Sequence, residues 1–275
     1  MVACFARMFA MLIFAVTLAA CQRSPSSDTA ATAGSLAAAS SSSTPLELHV
    51  SNARYRIDVT YPPLSPEADV LMHTLHERTQ AARAELMRAL PNVSSLPAEA
   101  RRPLQLMIDY TVAARTPVFV SVREQGMMDT GGAHPIPLDA TFVFDMQHAR
   151  LVTLDDLFTD PARARAWLSE AARKALYAKL LDKVPGGDKT PAKARKAWQD
   201  NMRAMIDAGT QPTAQNFKGF LIDGGGLASP PSLVLVFPPY QVAPYVYGAQ
   251  TVRVPVQTFA TLLKPAYRGA FGLAP

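Results

Sequence analysis

Two short stretches hold the residues best suited to chemistry. Asp129-Thr130-Gly131-Gly132-Ala133-His134-Pro135 sets one imidazole on a loop with two adjacent glycines. Glycine tolerates positive φ and close backbone approach, and binding groups concentrate on loops carried by a rigid scaffold. A narrow loop of this kind suits entry into a partner's cleft, where the imidazole can hydrogen-bond carboxylates. The same residues also suit a tight hairpin turn with a structural histidine. The second stretch, FPPYQVAPYVYG from Phe237 to Gly248, holds Tyr240, Tyr245 and Tyr247. Tyrosine joins an apolar body to a polar tip, which serves a binding surface. It serves equally a packed corner whose backbone groups need capping.

Other candidates are weaker. His73, His76 and Glu77 lie three and four apart on a predicted helix, a spacing that in principle holds a metal. They fall off the apolar stripe and spacing supplies no third ligand, so a solvated face is expected, with no metal and no cofactor. From Arg163 to Arg203 there are 11 Lys or Arg against four acids, Glu170, Asp182, Asp188 and Asp200. Such a face suits anionic head groups, wall polymers or an acidic protein; it is also what an ordinary exposed helix pair looks like. No Gly-x-Ser-x-Gly elbow, His-Glu-x-x-His or phosphate loop is present. Asp129, His134 and Asp139 are near in sequence, but acids beside a turn are common, and the chain is not expected to be an enzyme. No nucleic-acid reader motif is present.

The elements that must position these stretches follow from periodicity. Leu46 to Tyr61 alternates loosely and predicts one or two strands, ended by Pro62 and Pro63. Glu67 to Leu90 predicts a helix with Leu71, Leu75, Ala82, Leu86 and Leu90 on its apolar face, closed by Pro91. Strands are expected at Leu104 to Ala113, Pro117 to Gln125 and Ala140 to Met146, with a capped turn at Asp155-Asp156. Helices are expected at Pro161 to Leu181 and Pro191 to Ala208, and a strand at Phe217 to Ile222. Leu233 to Val236 reads as a buried strand. Its extension is stopped by Pro238 and Pro239, which give no N–H to a ladder. Pro244 keeps the next residues out of a helix, so an ordered aromatic corner is expected before a strand at Thr251 to Val254 and a short helix from Val256 to Leu263. The predicted class is α+β, antiparallel sheets with helices packed on one side.

The chain's 275 residues are enough to bury a real core. Residues 1–20 hold one charge, Arg7, before an apolar run too short to span a membrane, the layout of a secretory signal peptide. Leu18-Ala19-Ala20-Cys21 resembles the lipobox of bacterial lipoproteins, in which Cys21 is lipidated and becomes the first mature residue. Gln22 after the cysteine, rather than Asp, favours the outer membrane, periplasmic face. Cys4 lies in the removed segment, so no thiol is left for a disulfide. Residues 21–44 are then a Ser/Ala-rich tether of about 25 Å root-mean-square span. The globular part divides into subdomains at 45–150 and 151–275 that form one compact unit. Removing Arg7 takes the formal charge from +5 to +4.

The combination of a strand, the Thr-Gly-Gly-Ala-His loop, a second strand, Leu151-Val152-Thr153-Leu154-Asp155-Asp156-Leu157-Phe158, helices, and the corner at Phe237 to Tyr245 with Gly248 resembles a known module. It is similar to the extracytoplasmic domain of the lysozyme-sensing anti-sigma factor RsiV, also found before the catalytic domain of PdaC-like peptidoglycan deacetylases and alone in lipoproteins. The resemblance covers Pro45 to Pro265 and departs at Pro135, where glycine is expected. The chain lacks both the sigma-binding segment and the deacetylase domain, so neither signalling nor deacetylation carries over. The resemblance implies a binding module whose partner is a lysozyme-like glycoside hydrolase or a secreted antibacterial effector. Thr130, Gly131, Gly132, Ala133 and His134 would enter the cleft, toward the paired carboxylates of such an enzyme, with Tyr240, Tyr245 and Tyr247 beside them. The module would then be a lysozyme inhibitor or an immunity protein. The basic helices argue against a strongly basic lysozyme as partner. The alternative is a peptidoglycan- or glycan-binding module without inhibitor activity.

Overall fold

The structure is a computed structural model that describes residues 46–95, 97, 102–226 and 229–274. The expected signal peptide, lipidation site at Cys21 and tether lie outside the described residues. Six strands form the larger sheet in the order β1-β2-β3-β4-β5-β6. They are β1 (Leu46–Ser51), β2 (Tyr55–Tyr61), β3 (Leu104–Arg115), β4 (Phe119–Asp129), β5 (Ile136–Asp145) and β6 (Arg150–Leu151). Every pairing is antiparallel except β2 with β3, which run parallel because α1 (Asp69–Ser94) connects them. A second sheet holds β7 (Phe220–Asp223), β8 (Ser232–Phe237) and β9 (Gln250–Pro255), all antiparallel.

Two apolar cores result. Leu71, Leu75 and Leu86 of α1 are fully buried against Ile57, Leu106, Val122 and Phe144, on one face of the larger sheet. The other core joins Leu168, Ala172 and Leu176 of α2 (Pro161–Leu180) and Ile206 of α3 (Ala192–Gly209) to Leu233, Leu235 and Val252 of the small sheet. Phe119 and Val143, on the opposite face of the larger sheet, belong to it too. The class is α+β, with helices in both cores rather than gathered in one. Ser121 couples the sheets: its buried hydroxyl accepts from Ile222 N–H (2.9 Å) and donates to Ile222 C=O (3.0 Å).

Several boundaries differ from expectation for identifiable reasons. The first helix does not stop at Leu90 but runs through Pro91 to Ser94. Proline lacks an N–H and its ring crowds the carbonyl four residues back, but so close to the end little of the helix depends on it, and the chain still gains Ser95 N–H to Pro91 C=O at 3.2 Å. β4 does not end at Gln125, because Gly126 is a strand residue. A side chain there would collide with the carbonyl oxygen of Met107 on β3. β5 correspondingly starts at Ile136, which shortens the intervening loop to 130–135. Val256 to Leu263 is not one helix but two 3₁₀ turns, Val256–Thr258 and Ala260–Leu262, followed by α4 (Pro265–Arg268).

Candidate functional site

The 130–135 loop is braced from beneath. Asp129, the last residue of β4, accepts the Gly131 N–H at 2.9 Å. That turn puts Gly131 at φ 84°, a left-handed conformation that costs any other residue about 1–2 kcal/mol. Arg102 donates to the Gly132 carbonyl at 3.0 Å and lies 3.4 Å from the Asp129 carboxylate. Gly131 to His134 are all exposed. Gly132 differs from its neighbour, since a Cβ added there meets nothing.

The corner after β8 is built to meet that loop. Gln241 donates its side-chain amide to Gly209 C=O (2.9 Å) and Asn216 C=O (2.8 Å), tying the corner to the end of α3. Val242 and Ala243 are buried in the core beneath. Between these anchors and Pro239, Tyr240 is held at φ 72°. For a bulky residue that conformation costs about 1–3 kcal/mol and persists only where its surroundings over-determine it.

The result is a contiguous aromatic patch drawn from residues more than a hundred apart in sequence. The His134 ring stacks on Tyr245 at 5.4 Å between centroids and 23° between planes. Tyr245 stacks on Tyr240 at 5.5 Å and 25°. His134 Nε2 stands 3.4 Å from the Tyr240 hydroxyl, and Nδ1 3.0 Å from the Pro135 carbonyl. Tyr240 is 50% exposed, Tyr245 41% and the adjoining Val246 84%, so the rings are not packed away.

Tyr247 does not join them. Its ring lies against Trp198 (6.2 Å) and its hydroxyl donates to Lys183 C=O at 2.9 Å, which makes it a strut between the corner and the α2–α3 connection. Thr130 and Ala133 shape the loop without touching the tyrosines through any ring or side-chain hydrogen bond. Asp129 and Asp139 are each held by an arginine, Asp139 by Arg123 at 2.8 Å, and neither orients His134. His73 pairs with Glu77 at 3.2 Å on an exposed helix face, and His76 lies edge-on to Tyr61. No group of three His, Cys, Asp or Glu capable of holding a metal occurs among the described residues.

Sequence reasoning missed Arg102 and Val246. Arg102 reaches the loop from 30 residues away, where no local signal marks it. Val246, an apolar residue between two tyrosines, lies in the corner's 3₁₀ turn (Tyr245–Tyr247), which leaves it exposed.

Fold and patch together define an α+β module that carries an exposed cluster of aromatic rings. Residues 155–257, which include the corner but not the histidine loop, match the family model described as "Protein of unknown function (DUF3298)", so the chain carries a DUF3298-type module. The matched segment is shorter than the 45–265 span of the resemblance noted from sequence, and it carries no assignment of lysozyme binding. The crystal structure of a DUF3298 family member from Bacteroides fragilis superposes with a TM-score of 0.55 at 16% identity, over 83% of this chain and 96% of that one. A DUF3298 family protein from Pseudomonas aeruginosa gives 0.52 at 15%, over 81% and 94%. At such identities the likeness is one of fold. No curated protein matches the sequence.

Proposed function

We propose that this chain is an envelope lipoprotein, anchored through Cys21 on the periplasmic face of the outer membrane, that binds and inhibits a lysozyme-like peptidoglycan hydrolase. One observation carries the reading. An exposed hairpin loop presents His134 against Tyr245, while Tyr240 is held beside it at a strained φ of 72°. The same backbone conformation that lets Gln241, Val242 and Ala243 dock on the core fixes the exposed Tyr240 ring in one place. A pre-shaped loop with a rigid aromatic base suits insertion into a concave partner, where tyrosine anchors dominate binding. The resemblance to lysozyme-binding modules supplies the class of partner, and the basic α2–α3 face favours an acidic or neutral one.

The test adds soluble residues 43–275 to a panel of lysozyme-type hydrolases and follows lysis of purified peptidoglycan. Stoichiometric inhibition of one enzyme is expected, weakened by His134→Ala and by an insertion between Gly131 and Gly132 without a lower Tm. Failure against every enzyme, together with pelleting of the protein on purified sacculi, would replace this reading with a glycan-binding one. The near-parallel rings would then serve as a platform for sugars.

A further inference from the structure

The larger sheet has an open edge next to the aromatic patch. β6 pairs with β5 only at Phe144 and Asp145, and among the described residues no strand pairs with the outer side of β5 from Ile136 to Val143. The outward direction can be assigned. Val143 C=O accepts from Val152 N–H, so Val143 faces outward; backbone groups alternate along a strand, so Thr141, Asp139 and Pro137 do so as well. Pro137 has no N–H to offer, which leaves the N–H and C=O of Asp139 and Thr141 as a short free ladder.

Grooves flank that ladder. One, of about 510 Å³, runs along residues 137–142 between Arg78 on one wall and Lys218, Gly219, Val236, Pro238 and Pro239 on the other. It begins at Pro137 and Pro239, close in sequence to His134 and Tyr240. A second, of about 330 Å³, continues it past Thr141, Phe142 and Lys218 toward Leu151, Leu154 and Phe217. The charges along this path are unevenly matched. Arg78 is bonded to buried Glu124 at 2.9 Å and Asp139 to Arg123, while exposed Lys218 forms no ion pair among the described residues.

We propose that the β5 edge takes an extended, acidic segment of a protein partner as an added strand. Main-chain groups of Asp139 and Thr141 supply the ladder, apolar side chains of the segment face one wall, and the carboxylates that alternate with them face the wall that holds Lys218. This is the geometry of strand addition, with backbone bonds for affinity and flanking pockets for selectivity. Residues 22–44 suit the edge poorly, being nearly all Ser, Ala and Thr with one acid, Asp28.

The probes are two labelled heptapeptides, Thr-Val-Glu-Val-Glu-Val-Thr and the same sequence with lysine for glutamate, titrated into the full-length chain in detergent. The acidic peptide is expected to bind and to slow amide exchange in residues 137–143. Lys218→Glu should weaken it by about tenfold or more, the loss of one charge-assisted contact, and favour the lysine peptide. N-methylation of the peptide amides on one edge only should abolish binding, and on the other edge leave it intact. Equal binding of both peptides, protection confined to another edge, or protection of 137–143 in the protein alone from a second copy or residues 22–44 would overturn the proposal. No hydrolase is present, so this outcome and that of the inhibition assay are independent.

Discussion

Helices α2 and α3 and the patch around His134 both look, in sequence, like surfaces held ready for a partner. The helices spend much of that potential internally. Arg165 pairs with Asp155, Arg173 with Asp207 (3.0 Å), Arg195 with Asp188 (3.7 Å) and Lys196 with Asp200 (2.6 Å). Arg203 lies 5.1 Å over the Tyr177 ring. The patch does the opposite: its rings contact one another and remain open to solvent. Long charged side chains find nearby partners readily, whereas an exposed tyrosine on a rigid corner keeps its contact area free. The difference teaches that charge density in sequence overstates how much charge a surface keeps unpaired, while aromatic residues on a rigid corner can stay exposed.

The largest effect should come where the two regions meet. Gly209 ends α3 under the corner, and a Cβ there would collide with the Gln241 carbonyl and crowd Val242 at 2.7 Å. Gly209→Ala should cost about 2–3 kcal/mol, lower Tm by roughly 5–10 °C, and weaken hydrolase inhibition by displacing Tyr240 and Tyr245. Thermal melts and inhibition curves of the same sample check both. An unchanged Tm with full inhibition would show that the corner does not depend on α3.

The tyrosines offer a cleaner division. Tyr247→Phe removes the bond to Lys183 C=O and should lose about 0.5–1.5 kcal/mol of stability, with inhibition intact. Tyr245→Ala should leave stability within about 0.5 kcal/mol and weaken inhibition by roughly 30-fold, as expected for an anchor worth about 2 kcal/mol. If the two variants exchange phenotypes, the boundary between patch and strut is misplaced. Lys196→Ala, on the helix side, should change stability by only about 0.3–0.5 kcal/mol and inhibition not at all.

Much of this architecture was legible in the residues themselves. The 3.6-residue stripes of α1, α2 and α3 and the proline stop after β8 follow from local chemistry, and so did the loop and corner as separate features. What local chemistry does not show is which distant residues meet. Tyr240, Tyr245 and Tyr247 have the same side chain within eight positions, and their fates are set by Gly209, Trp198, Lys183 and His134. Gly126 reads as a strand end because glycine weakens strands, yet here it permits contact with Met107. The free β5 edge is equally invisible, since it depends on how soon β6 leaves the sheet.

The smallest predicted effects are electrostatic and carry a definite sign. Asp156 closes the capping box before α2: burial raises its pKa, but bonds from the Thr153 hydroxyl and N–H, with Arg150 nearby, outweigh that and hold it below the ordinary carboxylate value. On the small sheet, burial likewise opposes the Gly225 N–H and Arg253 at Asp223, and the net shift is again downward. A carboxyl whose folded pKa lies below its unfolded one contributes stability that is fully present above about pH 4–5 and is lost as pH falls through the folded value. Asp156→Asn and Asp223→Asn should therefore each melt slightly below the wild type at pH 7, and the gap should close as pH falls below the ordinary carboxylate range. A gap that stayed constant with pH would mean these carboxylates act by shape alone. On the proposed function inhibition uses neither residue and should be indifferent to both substitutions; a loss there would tie the patch to the capping box or to the Asp223 turn.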